Sequence, residues 1–257
     1  MDITVALALG AIIGVLLGLL GGGGSILAVP ALVFGLGLDL EQAIPISLLV
    51  IGIASLVGAI PKMREHQVNW RMVGVFAACG IPATFAGSAV GRLLPQSVVM
   101  IGFAAVMVVA GIRMLMDRGE TGTACEVGDS GIDWRRCAPR SVPAGVAVGF
   151  LTGLFGVGGG FLIIPALVLM LGLEMSVAVG TSLVIIVANS AAGLISHLSG
   201  ASIDWAITAA FAGTAVVGSL IAGHFGTKVD TDRLQRWFAY LVFVVAAYVL
   251  VDTIILR

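Results

Sequence analysis

Long apolar runs recur along the whole chain, and glycines interrupt two of them at matching places. Apolar runs of about 20 residues, the length that crosses a bilayer as a helix, predict six transmembrane helices at 42–61, 70–91, 97–116, 176–197, 204–226 and 232–256. Each set of three follows a pair of apolar segments broken by a glycine run, at 3–37 and 143–172. The pattern predicts an all-α polytopic membrane protein made of two similar halves.

The two halves read as an internal duplication. Residues 18–38, GLLGGGGSILAVPALVFGLGL, resemble residues 153–173, GLFGVGGGFLIIPALVLMLGL. The same offset, without a gap, pairs Ser47 with Ser182, Ser55 with Ser190, Gly58 with Gly193, Trp70 with Trp205, Phe76 with Phe211 and Gly91 with Gly226. A register that holds over this length indicates two repeats, 1–116 and 142–257, joined by a polar linker at 117–141.

The length of the glycine-interrupted pair leaves two arrangements open. The second pair has about 30 residues, whereas two full crossings need about 40. The pair therefore forms either a re-entrant hairpin of two half-length helices or a single broken helix that crosses once. The hairpin gives each repeat three crossings, so that the second repeat is inverted relative to the first. The single crossing makes the two repeats parallel.

The distribution of basic residues favours the inverted arrangement, because Lys and Arg concentrate on the cytoplasmic side of a membrane. With the linker cytoplasmic, all of the 13 Lys and Arg residues except Arg92 and Arg257 lie inside. The parallel arrangement instead places Lys228, Arg233 and Arg236 outside and brings Arg257 inside. We therefore expect both termini to be periplasmic. Inverted repeats with paired broken helices are typical of secondary transporters.

Composition supports a membrane protein and says little about partners. The chain of 257 residues is 59% hydrophobic and 11% charged, with a net charge of −1 and a mean hydropathy of +1.14. A soluble domain carries about a quarter charged residues. The N-terminal segment MDITVALALGAIIGVLLGLL resembles a signal peptide, but it includes an acid and no Lys or Arg, so we expect it to be retained.

The two glycine runs are the candidate binding site. They comprise Gly21, Gly22, Gly23 and Gly24 in the first repeat, and Gly156, Gly158, Gly159 and Gly160 in the second. A helix that begins after each run would present free backbone N–H groups and the positive end of its dipole, and glycine lets an anion approach those groups. Ser25 would cap the first such helix or bind the substrate, and Pro30 and Pro165 would kink the two helices. Glycines also serve close helix packing, which is the interpretation for Gly10, Gly14 and Gly18.

Charged side chains are missing from the predicted helix centres, so hydroxyl and amide groups are the candidate polar partners of an anion. These are Ser47, Thr181, Ser182, Asn189 and Ser190. Asn189 has a second interpretation, a hydrogen bond between helices. His197 and His224 fall near helix ends. An inside-negative membrane favours expulsion of an anion by about 2.3 kcal/mol per charge per 100 mV, so export needs no coupling ion.

The motifs resemble those of the TauE/SafE family. GLLGGGGSILAVPAL and GLFGVGGGFLIIPAL, followed by AVGTSL in the second repeat, carry the resemblance, which covers nearly the whole chain. It implies a transporter of the bacterial or archaeal cytoplasmic membrane that exports sulfite or organosulfonates such as sulfoacetate. It maps onto both glycine runs, both prolines, and Gly180, Thr181 and Ser182. The first repeat departs from the pattern, since AIPISL places Pro45 and Ile46 where the second has glycine and threonine, and this suggests unequal half-sites.

Two other functions stay open at this point. A channel-like pore for a small anion or neutral solute also suits re-entrant hairpins. A membrane scaffold or thiol-handling maturation factor would depend on Cys79, Cys125 and Cys137. We expect no enzyme activity, no cofactor, no metal and no nucleic-acid partner, because no nucleophile–base pair and no Cys/His set with metal spacing occurs. The expected partners are a small anion and the lipid bilayer, and the oligomeric state, including a homo-oligomer, is left open.

Overall fold

The computed structural model describes residues 3–20, 23–116, 127–128, 131–132, 134–170, 173, 175–197, 205–225 and 231–253. This part of the chain is helical except for one two-stranded pair, β1 (Val127–Gly128) with β2 (Gly131–Ile132). Five of its helices are long and apolar enough to cross a membrane. The prediction of an all-helical polytopic membrane protein is confirmed at this level.

The six predicted long helices are all present. They are α3 (Leu40–Arg64), α4 (Trp70–Leu93), α5 (Gln96–Met116), α8 (Met175–His197), α9 (Trp205–Phe225) and α10 (Thr231–Val251). The start of α4 is fixed by an N-cap, because the side chain of Asn69 accepts a hydrogen bond from the Met72 N–H. The α3–α4 loop is held by a hydrogen bond from Lys62 Nζ to Gln67 Oε1 at 2.9 Å.

The glycine-interrupted pairs differ from two half-length helices. Each begins with a long helix, α1 (Ile3–Leu20) or α6 (Trp134–Phe155). A short return segment of mixed geometry follows. The first return segment, 23–35, is a 3₁₀-helix (Gly23–Leu27), α2 (Ala28–Pro30) and a π-helix (Ala31–Gly35). The second return segment, 160–170, is α7 (Gly160–Pro165) and a π-helix (Ala166–Met170).

Both prolines stand where the return segments change geometry. The α-helix ends at Pro30 in the first repeat and at Pro165 in the second, and a π-helix follows in each. A proline lacks the N–H that continues the α-helical hydrogen bonds, so a wider turn at this point is expected. Matching hydrogen bonds from the Leu38 N–H to the Leu32 carbonyl and from the Leu173 N–H to the Leu167 carbonyl then close the two segments.

Helix α6 begins within the predicted linker. Its first residue is Trp134, well before the predicted start at 143. The predicted linker also contains the short strand pair, so its described parts include regular secondary structure. Helix α6 packs against α4.

Glycine faces join each repeat to the other. Helix α1 packs on α9, and α6 packs on α4, the helix that corresponds to α9 in the first repeat. Cβ atoms built at Gly10, Gly14 and Gly18 would overlap Phe211, Ala215 and Ser219, and those at Gly149 and Gly153 would overlap Gly80 and Thr84. Gly149 and Gly153 are the equivalents of Gly14 and Gly18 in the second repeat, and they contact the equivalent residues of α4. The packing role predicted for the α1 glycines is what the structure has.

The central helices of the two repeats cross in opposite directions. Along α3 and α8, Leu48 lies beside Gly193, Gly52 beside Ser190 and Gly58 beside Leu183, so residue numbers rise on one helix as they fall on the other. Along α4 and α8, Gly80 lies beside Asn189 and Ser88 beside Ser196, so these two helices run in the same direction. Helix α3 therefore points opposite to α8, its counterpart in the second repeat.

Candidate functional site

The two return segments meet inside the bundle. Helix α7 contacts the 3₁₀-helix Gly23–Leu27 directly. The described residues around this contact are buried, from Gly24 to Pro30 in the first repeat and from Gly156 to Gly160 in the second. The structure thus brings the described parts of the two return segments together in the interior.

The second glycine run has a backbone that only glycine adopts readily. Gly156, Gly158 and Gly159 have φ angles of 69°, 69° and 72°, in the left-handed region where side chains are disfavoured. Within the described chain, the N–H groups of Val157, Gly158 and Gly159 have no hydrogen-bond acceptor. Buried backbone donors are almost always paired in folded proteins. Three unpaired donors in a row are therefore a place where a polar ligand or water gains hydrogen bonds.

The first glycine run is not equivalent to the second. Gly23 and Gly24 belong to a right-handed 3₁₀-helix, and Gly21 and Gly22 lie outside the described residues. Ser25 is fully buried within this 3₁₀-helix and does not stand before it as an N-cap. This structural difference between the two runs agrees with the sequence difference between the repeats, where Pro45 and Ile46 stand in place of a glycine and a threonine.

The helix-dipole argument is weaker than the sequence suggests. Helix α7 has six residues and the 3₁₀-helix has five, so few peptide units are aligned after either glycine run. The electrostatic contribution therefore rests on individual N–H groups and side chains. Gly160, predicted as part of the site, is the first residue of α7, with Gly159 as its N-cap.

Ser47 ties the first repeat to the second glycine run. Its hydroxyl shares its hydrogen between the Ile44 carbonyl, at 2.7 Å, and the Gly156 carbonyl, at 2.6 Å. The side chain of Ile44 also packs where a Cβ of Gly156 would stand. Ser47 thus has a positioning role at the site, whether or not it also contacts a substrate.

Thr181 and Ser182 lie toward the start of α8. The Asn69 N–H donates to Thr181 Oγ1 at 2.9 Å, which links α8 to the start of α4. The Ser182 hydroxyl donates to the Val179 carbonyl at 2.8 Å. Thr181 stands two helical turns, or about 12 Å along the helix, before Asn189. The structure does not bring these two predicted site residues together.

Three polar side chains near the middle of α3 and α8 have buried atoms without partners. Ser55 Oγ, Ser190 Oγ and both amide atoms of Asn189 form no hydrogen bond. Each side chain is at most 1% exposed. Ser190 Oγ lies 3.1 Å from the position of a Cβ built at Gly158, so it faces the second glycine run. A buried hydroxyl or amide without a partner costs free energy, which marks these groups as candidates for ligand contact.

Ser55 is a site candidate that the sequence reasoning missed, although it noted that Ser55 and Ser190 correspond. Ser55 lies one helical turn after Ile51, and Ile51 touches the Cβ position of Gly158. The available signal was a serine at matching positions in the middle of both central helices.

Glycine at two of the predicted site positions is also demanded by packing. A Cβ at Gly24 would lie 2.5 Å from the Leu17 nitrogen, and one at Gly159 would lie 2.5 Å from Thr152 Oγ1. Replacing either by a bulky residue would therefore disturb the fold as well as a site. Substitutions of Ser55, Asn189 and Ser190 are the sharper test of ligand contact.

The described part of the interior is polar but uncharged. Its buried polar side chains are all Ser, Thr or Asn, and it holds no group of His, Cys, Asp or Glu residues suited to a metal ion.

Cys79 is a half-buried free thiol, while Cys125 and the Cys137 side chain lie outside the described residues. A cavity of about 310 Å³ lies apart from Asn189 and Ser190, where the first return segment meets α5 and α10 at Phe34, Gln96 and Asp252.

These features define an integral membrane protein with paired helix breaks at its centre. A family model described as sulfite exporter TauE/SafE matches residues 6–249. The chain belongs to this family of membrane transporters, and the resemblance drawn from its glycine motifs is confirmed.

Individual relatives agree with this assignment. A probable membrane transporter protein of Xylella fastidiosa (strain 9a5c) is 33% identical over 259 residues, with 97% of this chain and 95% of the relative covered. The probable membrane transporter protein YunE of Bacillus subtilis (strain 168) is 28% identical, with 91% and 92% covered. The probable membrane transporter protein MJ0441 of Methanocaldococcus jannaschii is 29% identical, with 74% and 70% covered. No solved structure matches the chain.

Proposed function

We propose that this transporter exports small sulfur oxyanions, such as sulfite or sulfoacetate, through a site between its two glycine runs. The observation that carries the proposal is the set of buried, unpartnered polar groups beside Gly158, namely the Ser190 hydroxyl and the backbone N–H groups of the second run. An oxyanion offers several acceptor oxygens to such donors. The substrate class comes from the family description, sulfite exporter.

Two exposed tryptophans support a bilayer centred on this site. Trp70 and Trp205 are 61% and 67% exposed and begin α4 and α9, and tryptophan favours the membrane interfaces. By the α3–α8 and α4–α8 contacts described above, Trp70 stands level with Lys62. A Cβ built at Gly58 of α3 would lie 3.8 Å from Ser219 Oγ of α9, and 14 residues back along each helix Trp205 stands level with Ile44. This is a separation of about 18 residues, or about 27 Å along a helix, close to the hydrocarbon thickness of about 30 Å. Ser55 then lies near the midplane.

We further propose that the two repeats are inverted across the cytoplasmic membrane. The opposite directions of α3 and α8 support this arrangement, as does the concentration of Lys and Arg in the linker and near the α3–α4 and α9–α10 connections. The linker is then cytoplasmic and both termini are periplasmic. Unwound backbone at the midplane between inverted repeats is where secondary transporters bind their substrates.

An uncharged site suits reversible binding of an anion. Because no fixed cation holds the substrate in the described interior, release depends on breaking hydrogen bonds that the two repeats share. Ser47 of the first repeat contacts the glycine run of the second, so movement of one repeat against the other would change the site. This is the structural basis that we propose for alternating access.

The test is sulfite efflux from proteoliposomes that contain the purified full-length protein. A transporter with alternating access predicts efflux that saturates with internal sulfite and is accelerated by sulfite outside. A channel-like pore predicts efflux that rises in proportion to concentration and gains nothing from external sulfite. Efflux no faster than from protein-free liposomes, for sulfite and sulfoacetate alike, would contradict the proposed substrate class.

A further inference from the structure

A buried amide at the centre of the bundle breaks the symmetry between the repeats. Asn189 of α8 corresponds to Ala54 of α3, and Gly80, against which the amide lies, corresponds to Ala215. A Cβ at Gly80 would lie 2.8 Å from Asn189 Oδ1, so glycine at this position makes room for the amide. The amide and the space for it are therefore both particular to one side of the site.

The amide offers two kinds of hydrogen-bonding group, and neither has a partner. Whichever way it is turned, an asparagine side chain presents an NH₂ donor and a carbonyl acceptor, and both atoms of Asn189 are buried without hydrogen bonds. The donor can bind an oxygen of an anion. The carbonyl needs a hydrogen from a donor, and a ligand that carries its own O–H supplies one.

We propose that the site selects the singly protonated, monovalent form of an oxyanion, either hydrogensulfite or sulfoacetate with its carboxyl group protonated, over forms that carry no proton. The ligand O–H donates to the Asn189 carbonyl. The ligand's other oxygens accept from the Asn189 NH₂, the Ser190 hydroxyl and the N–H groups of Gly158 and Gly159. This inference rests on the proposed function and names the chemical form that the same site takes.

The surroundings favour one negative charge over two. The described buried polar side chains near the site are neutral, and an unpaired dianion in an apolar bundle is more costly than a monoanion. The neighbouring Gly80 also packs against Gly149 of α6, one turn before Thr152, which flanks Gly159. Asn189 and the second glycine run therefore border one region of the bundle.

The experiment compares three anions in proteoliposomes of the unmodified protein, with protein-free liposomes subtracted. Sulfite is measured at several pH values, equal on both sides of the membrane, that change the fraction of hydrogensulfite. Methanesulfonate is monovalent without a proton, and sulfate is divalent without a proton. We expect sulfite efflux to fall with the hydrogensulfite fraction as the pH rises. Methanesulfonate and sulfate should be carried about five- to a hundredfold more slowly than sulfite, because each leaves one buried carbonyl without a hydrogen bond. Their efflux rates should not change with pH.

The outcomes separate the inference from the proposed function. Sulfite efflux that is independent of pH, or methanesulfonate efflux as fast as that of sulfite, would overturn the preference for a protonated form and leave the exporter in place. Absence of efflux for every sulfur oxyanion would overturn the exporter and the inference together.

A variant assigns the preference to the amide. Asn189→Leu has a similar shape without the donor or the acceptor, so it should carry sulfite and methanesulfonate at nearly equal rates. Thr214→Val is the matched control, because the Thr214 hydroxyl donates within its own helix, to Ala210, and lies on α9. It should keep the wild-type preference. An Asn189→Leu protein that retains the full preference would overturn the assignment.

Discussion

At the scale of single residues, two serines of similar burial serve different purposes. Ser47 and Ser190 are both almost completely buried, but Ser47 bonds to the second glycine run while Ser190 has no partner. The sequence identified both as polar groups in apolar helices, and it identified Asn189. It could not distinguish bonded from unpartnered hydroxyls, because the partner of Ser47 lies 109 residues away along the chain.

This contrast predicts opposite effects on stability. Ser47→Ala leaves the Gly156 carbonyl without its hydroxyl donor and should cost about 1–3 kcal/mol. Ser190→Ala removes a hydroxyl that has no partner to lose, so it should leave stability unchanged or slightly raised. Thermal unfolding of both variants in the same detergent measures the difference. Equal losses of stability would contradict the hydrogen-bond assignment.

At the scale of elements, the sequence located both helix breaks and all six long helices. It underestimated the lengths of α1 and α6, because the favoured hairpin arrangement made them half-length helices. Both helices stay regular because their glycine faces lie directly on α9 and α4. Whether a glycine-rich segment packs or unwinds depends on the helix opposite it, and a single repeat does not reveal that helix.

The glycine faces predict a position-specific effect of a single methyl group. Gly149→Ala would place its Cβ on the Gly80 carbonyl oxygen, and forcing α6 away from α4 should cost about 1–3 kcal/mol. Gly213→Ala on α9 is the matched control, since a Cβ there meets nothing within 4 Å. It should be neutral or stabilising by about 0.5–1 kcal/mol, the gain of alanine over glycine in a helix. Unfolding temperatures that fall equally in both variants would contradict the close approach of α4 and α6.

At the scale of the whole molecule, the two repeats exchange contacts. Helix α1 lies on α9 and α6 on α4, while α3 crosses α8 and α5 packs on α10. When the repeats are interchanged, the α1–α9 contact becomes the α6–α4 contact, and the α3–α8 and α5–α10 contacts each stay the same. The repeat was visible in the sequence, but the exchange was not, because a constant offset between similar segments says nothing about which helices touch.

Inversion predicts that equivalent residues of the two repeats face opposite sides of the membrane. Single cysteines in place of Glu65 and Gly200, which occupy equivalent positions in the two repeats, make a matched pair in a protein whose natural cysteines are replaced by serine. A membrane-impermeant thiol reagent added to intact cells, with access to the periplasm, should label Gly200→Cys and leave Glu65→Cys unlabelled until the cells are opened. Labelling of both from the same side would indicate parallel repeats.

The central claim is that unpartnered polar groups at the midplane bind the exported anion, and sulfite efflux from proteoliposomes tests it most directly. The double variant Ser55→Ala/Ser190→Ala removes both hydroxyls and should leave the unfolding temperature unchanged, because neither hydroxyl has a partner in the structure. We predict that its efflux falls about tenfold or more, since each lost contact to a charged ligand is worth about 1.5–3 kcal/mol. Efflux equal to wild type from a stably folded double variant would contradict the site.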